Sequence, residues 1–215
     1  LLKAALKMHN KDKVAAIEIA QGVVEREPAN IEAVSFLATL YVSDKKLADA
    51  INILDRALKD KPDNESLNKL LAAILLQDKQ YERAEVIYKD FLERNPDNSA
   101  SYNNLAAFYN QTDQKDKAEQ VLRESIENDQ DDVKRQLTLI KYIRDIKGND
   151  EAISETKKLI TNNAKHGELR TALADLYLLA GDKAAATDVL LKAVNEFPED
   201  AVGINSRISL ARIYI

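Results

Sequence analysis

The prolines of this chain fall on a single lattice. Pro28, Pro62 and Pro96 follow one another at 34 residues, and Pro198 lies 102 residues beyond Pro96, which is three more periods. The register continues through its two empty points, Gln130 and Ala164, in other slots. Twelve residues before each lattice point stands an alanine: Ala16, Ala50, Ala84, Ala118, Ala152 and Ala186. Twenty-five residues before five of the points stands a leucine: Leu37, Leu71, Leu105, Leu139 and Leu173. A fixed period of this size requires that each repeat be one small unit burying its apolar face against the next.

The unit must be a pair of helices. Leu47, Ala50, Ile51, Leu54, Ala57 and Leu58 recur at three and four residues and form one stripe on a helix. Val34, Leu37, Ala38 and Tyr41 form a second stripe, and the polar break Ser43-Asp44-Lys45-Lys46 separates the two. Small residues at Ala38 and Ala50 allow the paired helices to approach closely. Proline ends the second helix, because it has no N–H and disfavours helix in the residue before it. Two residues after the lattice points come Asn30, Asn64, Asn98, Asp132 and Asp200, suited to cap the next helix; His166 is the exception.

The pattern Leu-Ala-x-x-Tyr, then two alanines and Pro-x-Asn at a 34-residue period, closely resembles the tetratricopeptide repeat family over essentially the whole chain. It departs in having no tryptophan, and in having glycine at the turn between helices only around Gly148 and Gly181. The resemblance implies an all-α fold, a right-handed superhelical α-solenoid of antiparallel helix pairs, with about thirteen helices and no strand. Residues 1–215 then form one solenoid. A partial repeat spans 1–30, full repeats 31–64, 65–98, 99–132, 133–166 and 167–200, and 201–215 is the first helix of a further repeat. The hairpin 133–166 is expected to be the least regular, since it lacks the proline and has Ile140 and Ile143 in the Ala and Tyr slots. The apolar ending Ala211-Arg212-Ile213-Tyr214-Ile215 is read as an array cut from a longer one, whose open ends allow self-association.

Composition narrows the function. A net charge of −5 opposes a dedicated nucleic-acid binder, which would carry a basic domain. No run approaches the ~18 apolar residues of a membrane-spanning helix, so direct insertion is not expected. No targeting segment is visible and there is no cysteine, so cytoplasm and periplasm are equally open and the localisation is unknown. His9 and His166 stand far apart, and no nucleophile-base set, phosphate loop or metal-ligand spacing occurs. The reading is therefore no enzyme, no catalytic residue, no metal and no cofactor.

Charge is unevenly spread. Residues 99–132 hold 3 basic and 8 acidic side chains, whereas 133–166 hold 8 basic and 4 acidic. In arrays of the family it resembles, first helices of successive hairpins line an inner groove that binds extended segments of partners. The candidates there are Lys69, Asn103, Asn104, Asn110, Lys134, Lys141 and Arg144. Asn amides can pair with a peptide backbone as donor and acceptor, and the cations can take a carboxylate. Family members that hold acidic chaperone tails are similar at Lys69, Asn104 and Lys134, but Ala73 and Thr138 stand where an Asn and an Arg would be. Lys134, Lys141 and Arg144 are spaced to share a stripe. The competing view is a solvated face, paired internally with Asp145, Glu168 or Asp175.

The expected function is a non-catalytic protein-protein interaction scaffold. Its partner is a protein or peptide carrying acidic side chains or a free C-terminal carboxylate. The alternatives are a self-assembling structural array, or the targeting arm of a larger enzyme or of a secretion or export complex. The last follows a likeness to bacterial envelope proteins of exopolysaccharide export.

Overall fold

A computed structural model describes residues 1–214; Ile215, the end of the final partial repeat, lies outside the described residues. Thirteen helices and no strand occur among the described residues. They fall into two compact units, the first from Leu1 to Asn95 and the second from Pro96 onward. Each unit is an all-α stack of antiparallel helix pairs, the solenoid architecture that the period demands.

The first unit holds α1 (Leu2–His9), α2 (Lys13–Arg26), α3 (Ile31–Ser43), α4 (Leu47–Asp60), α5 (Glu65–Gln77) and α6 (Tyr81–Arg94). The second holds α7 (Ser99–Gln111), α8 (Lys115–Asn128), α9 (Val133–Lys147) and α10 (Asn149–Asn162). It continues with α11 (Gly167–Leu179), α12 (Lys183–Glu196) and α13 (Ala201–Tyr214). All six lattice alanines are 0% exposed, so each sits where two helices approach too closely for a larger side chain. The lattice leucines Leu37, Leu71, Leu105, Leu139 and Leu173 are all buried beside them.

Helix starts follow the capping pattern. Asn30, Asn64, Asn98 and Asp132 accept from the backbone N–H of Ala33, Leu67, Ala100 and Lys134, and His166 makes no such bond. Asp12 and Asp182 cap α2 and α12 in the same way, a role not drawn from the sequence.

Helix ends show that proline is sufficient but not necessary. The second helices stop two residues before the lattice point in every repeat, including those with Gln130 and Ala164 there. In three repeats, two of them at the points without proline, a side chain six residues on, in the next helix, bonds the lattice carbonyl. Asn68 donates to Pro62, Gln136 to Gln130 at 2.8 Å and Arg170 to Ala164 at 3.0 Å. That donor satisfies a backbone carbonyl in the turn between hairpins, outside either helix.

The hairpin 133–166 differs from its neighbours. Helix α9 has 15 residues where α3, α5, α7 and α11 have 13, and the turn shifts onto Gly148. Ile140 and Ile143, in the Ala and Tyr slots, are both buried. Helices α8, α9 and α10 are also tied by charge: Arg123 bonds Glu119 and reaches Glu155 at 2.6 Å, and Lys147 reaches Glu119 at 2.6 Å.

Candidate functional site

In the second unit, α7 and α9 form the walls of a cleft of about 230 Å³. The α7 wall carries Asn103 and Asn110, seven residues and so two helical turns apart, with Ala106 and Ala107 between them. Small residues there leave the space that makes the cleft. The α9 wall carries Thr138, Lys141, Tyr142 and Asp145, and Leu122 of α8 lies at the base.

Each polar group has a definite state. The Tyr142 hydroxyl donates to the Lys115 carbonyl at 2.9 Å, fastening α9 to the first residue of α8. Burial, and behind it the negative charges of Glu119 and Asp116, raise the Tyr142 pKa, so it stays a neutral donor. Thr138 folds its hydroxyl back onto the Lys134 carbonyl. Asp145 holds Arg144 through two N–H bonds at 3.0 and 2.8 Å. Lys141 is exposed and enters no ion pair among the described residues. The cleft thus offers two amides and one unpaired ammonium group.

The structure gathers some of the sequence candidates and separates others. Asn103, Asn110 and Lys141 line the same cleft. Asn104 is exposed on α7 but does not line it, and Lys134 is exposed one turn before Thr138. The cleft-facing stripe of α9 therefore runs through Thr138, Lys141 and Asp145, not through Arg144. Arg144 is bound to its neighbour, as the internally paired reading had it, with Asp145 rather than Glu168 or Asp175 as the partner. Lys69 lies in the first unit, where Glu65 pairs with it and its ammonium stands 5.9 Å from the Phe91 ring.

One basic residue was not anticipated from the sequence. Arg135 is 4% exposed, although arginine is among the residues least often buried. It donates to the Ser125 carbonyl at 2.9 Å and the Asp97 carbonyl at 2.6 Å, and stacks 5.5 Å from the Tyr102 ring. It ties the first turn of α9 to the last turn of α8 and to the segment just before α7. The period separates it from Lys134 beside it: Arg135 shares the slot of Ala33, Leu67, Ser101 and Leu169, all buried.

Comparison with known proteins bears on the fold. The family described as Tetratricopeptide repeat matches residues 7–74 and 75–141. No curated protein matches the chain. Among solved structures, a tetratricopeptide repeat protein from Parabacteroides merdae ATCC 43184 superposes with a TM-score of 0.54 at 23% identity, covering 90% of this chain and 77% of that one. A thermophilic TPR protein of Thermus thermophilus gives 0.44 at 21% identity, covering 85% of this chain and 98% of its own. MamA from Desulfovibrio magneticus RS-1 gives 0.47 at 16% identity, covering 92% and 93%. At these identities the likeness is one of fold.

Proposed function

Because this chain belongs to the tetratricopeptide repeat family, whose members mediate protein-protein interactions, we propose that it is a non-catalytic scaffold whose α7–α9 cleft holds an extended partner segment carrying a carboxylate. The observation that carries the reading is the convergence of Asn103, Asn110 and Lys141 on one cleft. An extended strand presents alternating N–H and C=O groups, and each Asn amide can meet one of each. Lys141 supplies the charge for an acidic side chain or a terminal carboxylate. Arg144 adds little, because Asp145 already neutralises it. The proposal rests on the second unit alone; Lys134 would extend the stripe by one turn, and Lys69 takes no part.

Calorimetry tests this with an Asp- and Glu-rich peptide ending in a free carboxylate. Lys141→Glu replaces an attraction by a repulsion, each worth about 0.2–1 kcal/mol at an exposed site, so affinity should fall roughly fivefold. Helix content should be unchanged. Asn110→Ala should weaken binding without altering its salt dependence, whereas raising the salt should weaken the unmodified protein, since exposed charges are screened over about 8–10 Å. Equal affinity for the unmodified protein and Lys141→Glu refutes the assignment.

A further inference from the structure

A second cleft, of about 380 Å³, opens in the first unit between α2 and α4, with α3 as its floor. Val24, Leu37 and Ala57 give it an apolar base. A cleft of about 610 Å³ occurs between α8 and α10 in the second unit, based on Ile126, Leu139 and Leu159. Each of these stands 102 residues after its counterpart, so both openings occupy the same place in the repeat. That place is the crevice between successive second helices, on helices other than the α7 and α9 walls described above. The wall charges recur as well: Glu25 corresponds to Glu127, and Arg56 to Lys158.

The repeats treat this crevice differently. Between α4 and α6 it is filled by Phe91, which stands where α4 has Ala57, and Arg83 pairs with Asp55 across it at 2.8 Å. Between α8 and α10, Arg123 straps the mouth to Glu155. The corresponding residues in the first unit are Gln21 and Ile53, which cannot form an ion pair. Gln21 turns instead to donate to the Tyr41 hydroxyl at 2.7 Å. Glu25, Asp60 and Arg56 at this rim enter no hydrogen bond or ion pair of their side chains among the described residues. The α2–α4 crevice is therefore unfilled and unstrapped, and its rim carries two carboxylates against one guanidinium.

We propose that the α2–α4 crevice is a second peptide-docking site, taking a large apolar side chain flanked by basic residues. The apolar side chain fills the space that Phe91 fills one repeat later. The flanking bases meet Glu25 on one wall and Asp60 on the other. Arg56 is left to donate to carbonyls of the bound backbone, which its five N–H groups suit. The specificity is opposite in sign to that of the α7–α9 cleft, so the two sites can hold different segments.

Acetyl-Lys-Leu-Lys-amide and acetyl-Glu-Leu-Glu-amide serve as probes, titrated into the 15N-labelled full chain while amide resonances are followed. The basic probe should shift the amides of Val24, Leu37 and Ala57 and leave Asn103 and Thr138 in place. Glu25→Lys with Asp60→Lys, both exposed, should weaken it at least fivefold with the rest of the spectrum preserved. Ala57→Phe, which has its precedent at Phe91, should abolish the shifts by occupying the crevice. If Ala57→Phe does not fold, the charge reversal decides. Equal shifts from both probes at α2 and α4, or undiminished affinity in the charge-reversed protein, overturn the proposal. Failure of the acidic probe at α7 and α9 would bear only on the other cleft.

Discussion

Lys45 and Lys79 hold the same left-handed backbone conformation, each at φ 62°, one 34-residue period apart. Lys11 at φ 60°, Asp113 at φ 59° and Gly181 at φ 80° continue the series at the same register. At each of these turns the next N–H reaches back five residues, as Gln80 does to the Leu75 carbonyl at 2.9 Å, closing the first helix of the hairpin. In the hairpin 133–166 the helix runs two residues further and the positive φ, 106°, moves one position on, to Gly148. Four of the turns thus ask a side chain to adopt a conformation that favours glycine.

Lys79→Gly should therefore stabilise the first unit. The left-handed region costs a residue with a Cβ about 1–2 kcal/mol, and glycine's greater freedom in the unfolded chain returns part of that. A net gain of about 0.5–1 kcal/mol should appear as a higher denaturation midpoint. Lys79→Val should lower it, because a branched Cβ fits this region worse. A midpoint lowered by the glycine would show that the lysine side chain outweighs the backbone strain.

Ala118→Leu should destabilise the second unit by about 1–3 kcal/mol, the usual range for overpacking a close contact. Ala118 is 0% exposed between its helix neighbours, so the added atoms must push α7 and α8 apart. Stacked repeats pass such damage to their neighbours. Hydrogen exchange should then speed up in α9 as well as in α7 and α8. An unchanged melting curve would remove Ala118 from the helix contact.

Arg135→Met should cost about 1.5–3 kcal/mol, the range for a hydrogen bond to a charged group, despite a similar length of side chain. The loss arises because the Ser125 and Asp97 carbonyls and the Ser125 hydroxyl lose their common donor. Arg135→Lys should recover little, since one ammonium cannot span the same acceptors. Denaturant unfolding compares the three proteins, and equal midpoints would make Arg135 dispensable.

Acid should loosen the α8–α10 region first. Burial raises the pKa of Glu119, but the hydrogen bonds and charges of Lys147 and Arg123 outweigh it and leave the value below the ordinary range. The Arg123 hydrogen bond lowers Glu155 against a smaller effect of burial. With folded values depressed, both groups contribute their full stability above the unfolded pKa of about 4.3. That contribution is lost as pH falls through the folded values. Arg123→Met should flatten the acid limb of stability against pH, and an identical limb in both proteins would contradict this.

The sequence by itself determined the period, the helical hairpin and the small residues at the helix contacts. Each of these is local or repeats at fixed spacing: a capping Asn30, an Ala118 in a close contact and a Pro62 after a helix act through their nearest neighbours. It also placed Asn103, Asn110 and Lys141 on first helices, because position in the repeat assigns the helix. Only the tertiary structure decided that Lys141 stays unpaired while Arg144 closes onto Asp145, and that Arg135 finds the Ser125 and Asp97 carbonyls. Those outcomes depend on which carbonyl or carboxylate another helix brings within about 3 Å, and a hydrogen bond is lost over a shift of a few tenths of an ångström. The open crevice between α2 and α4 was hidden for the same reason, since it exists through what Gln21, Ile53 and Ala57 leave unfilled and unbridged.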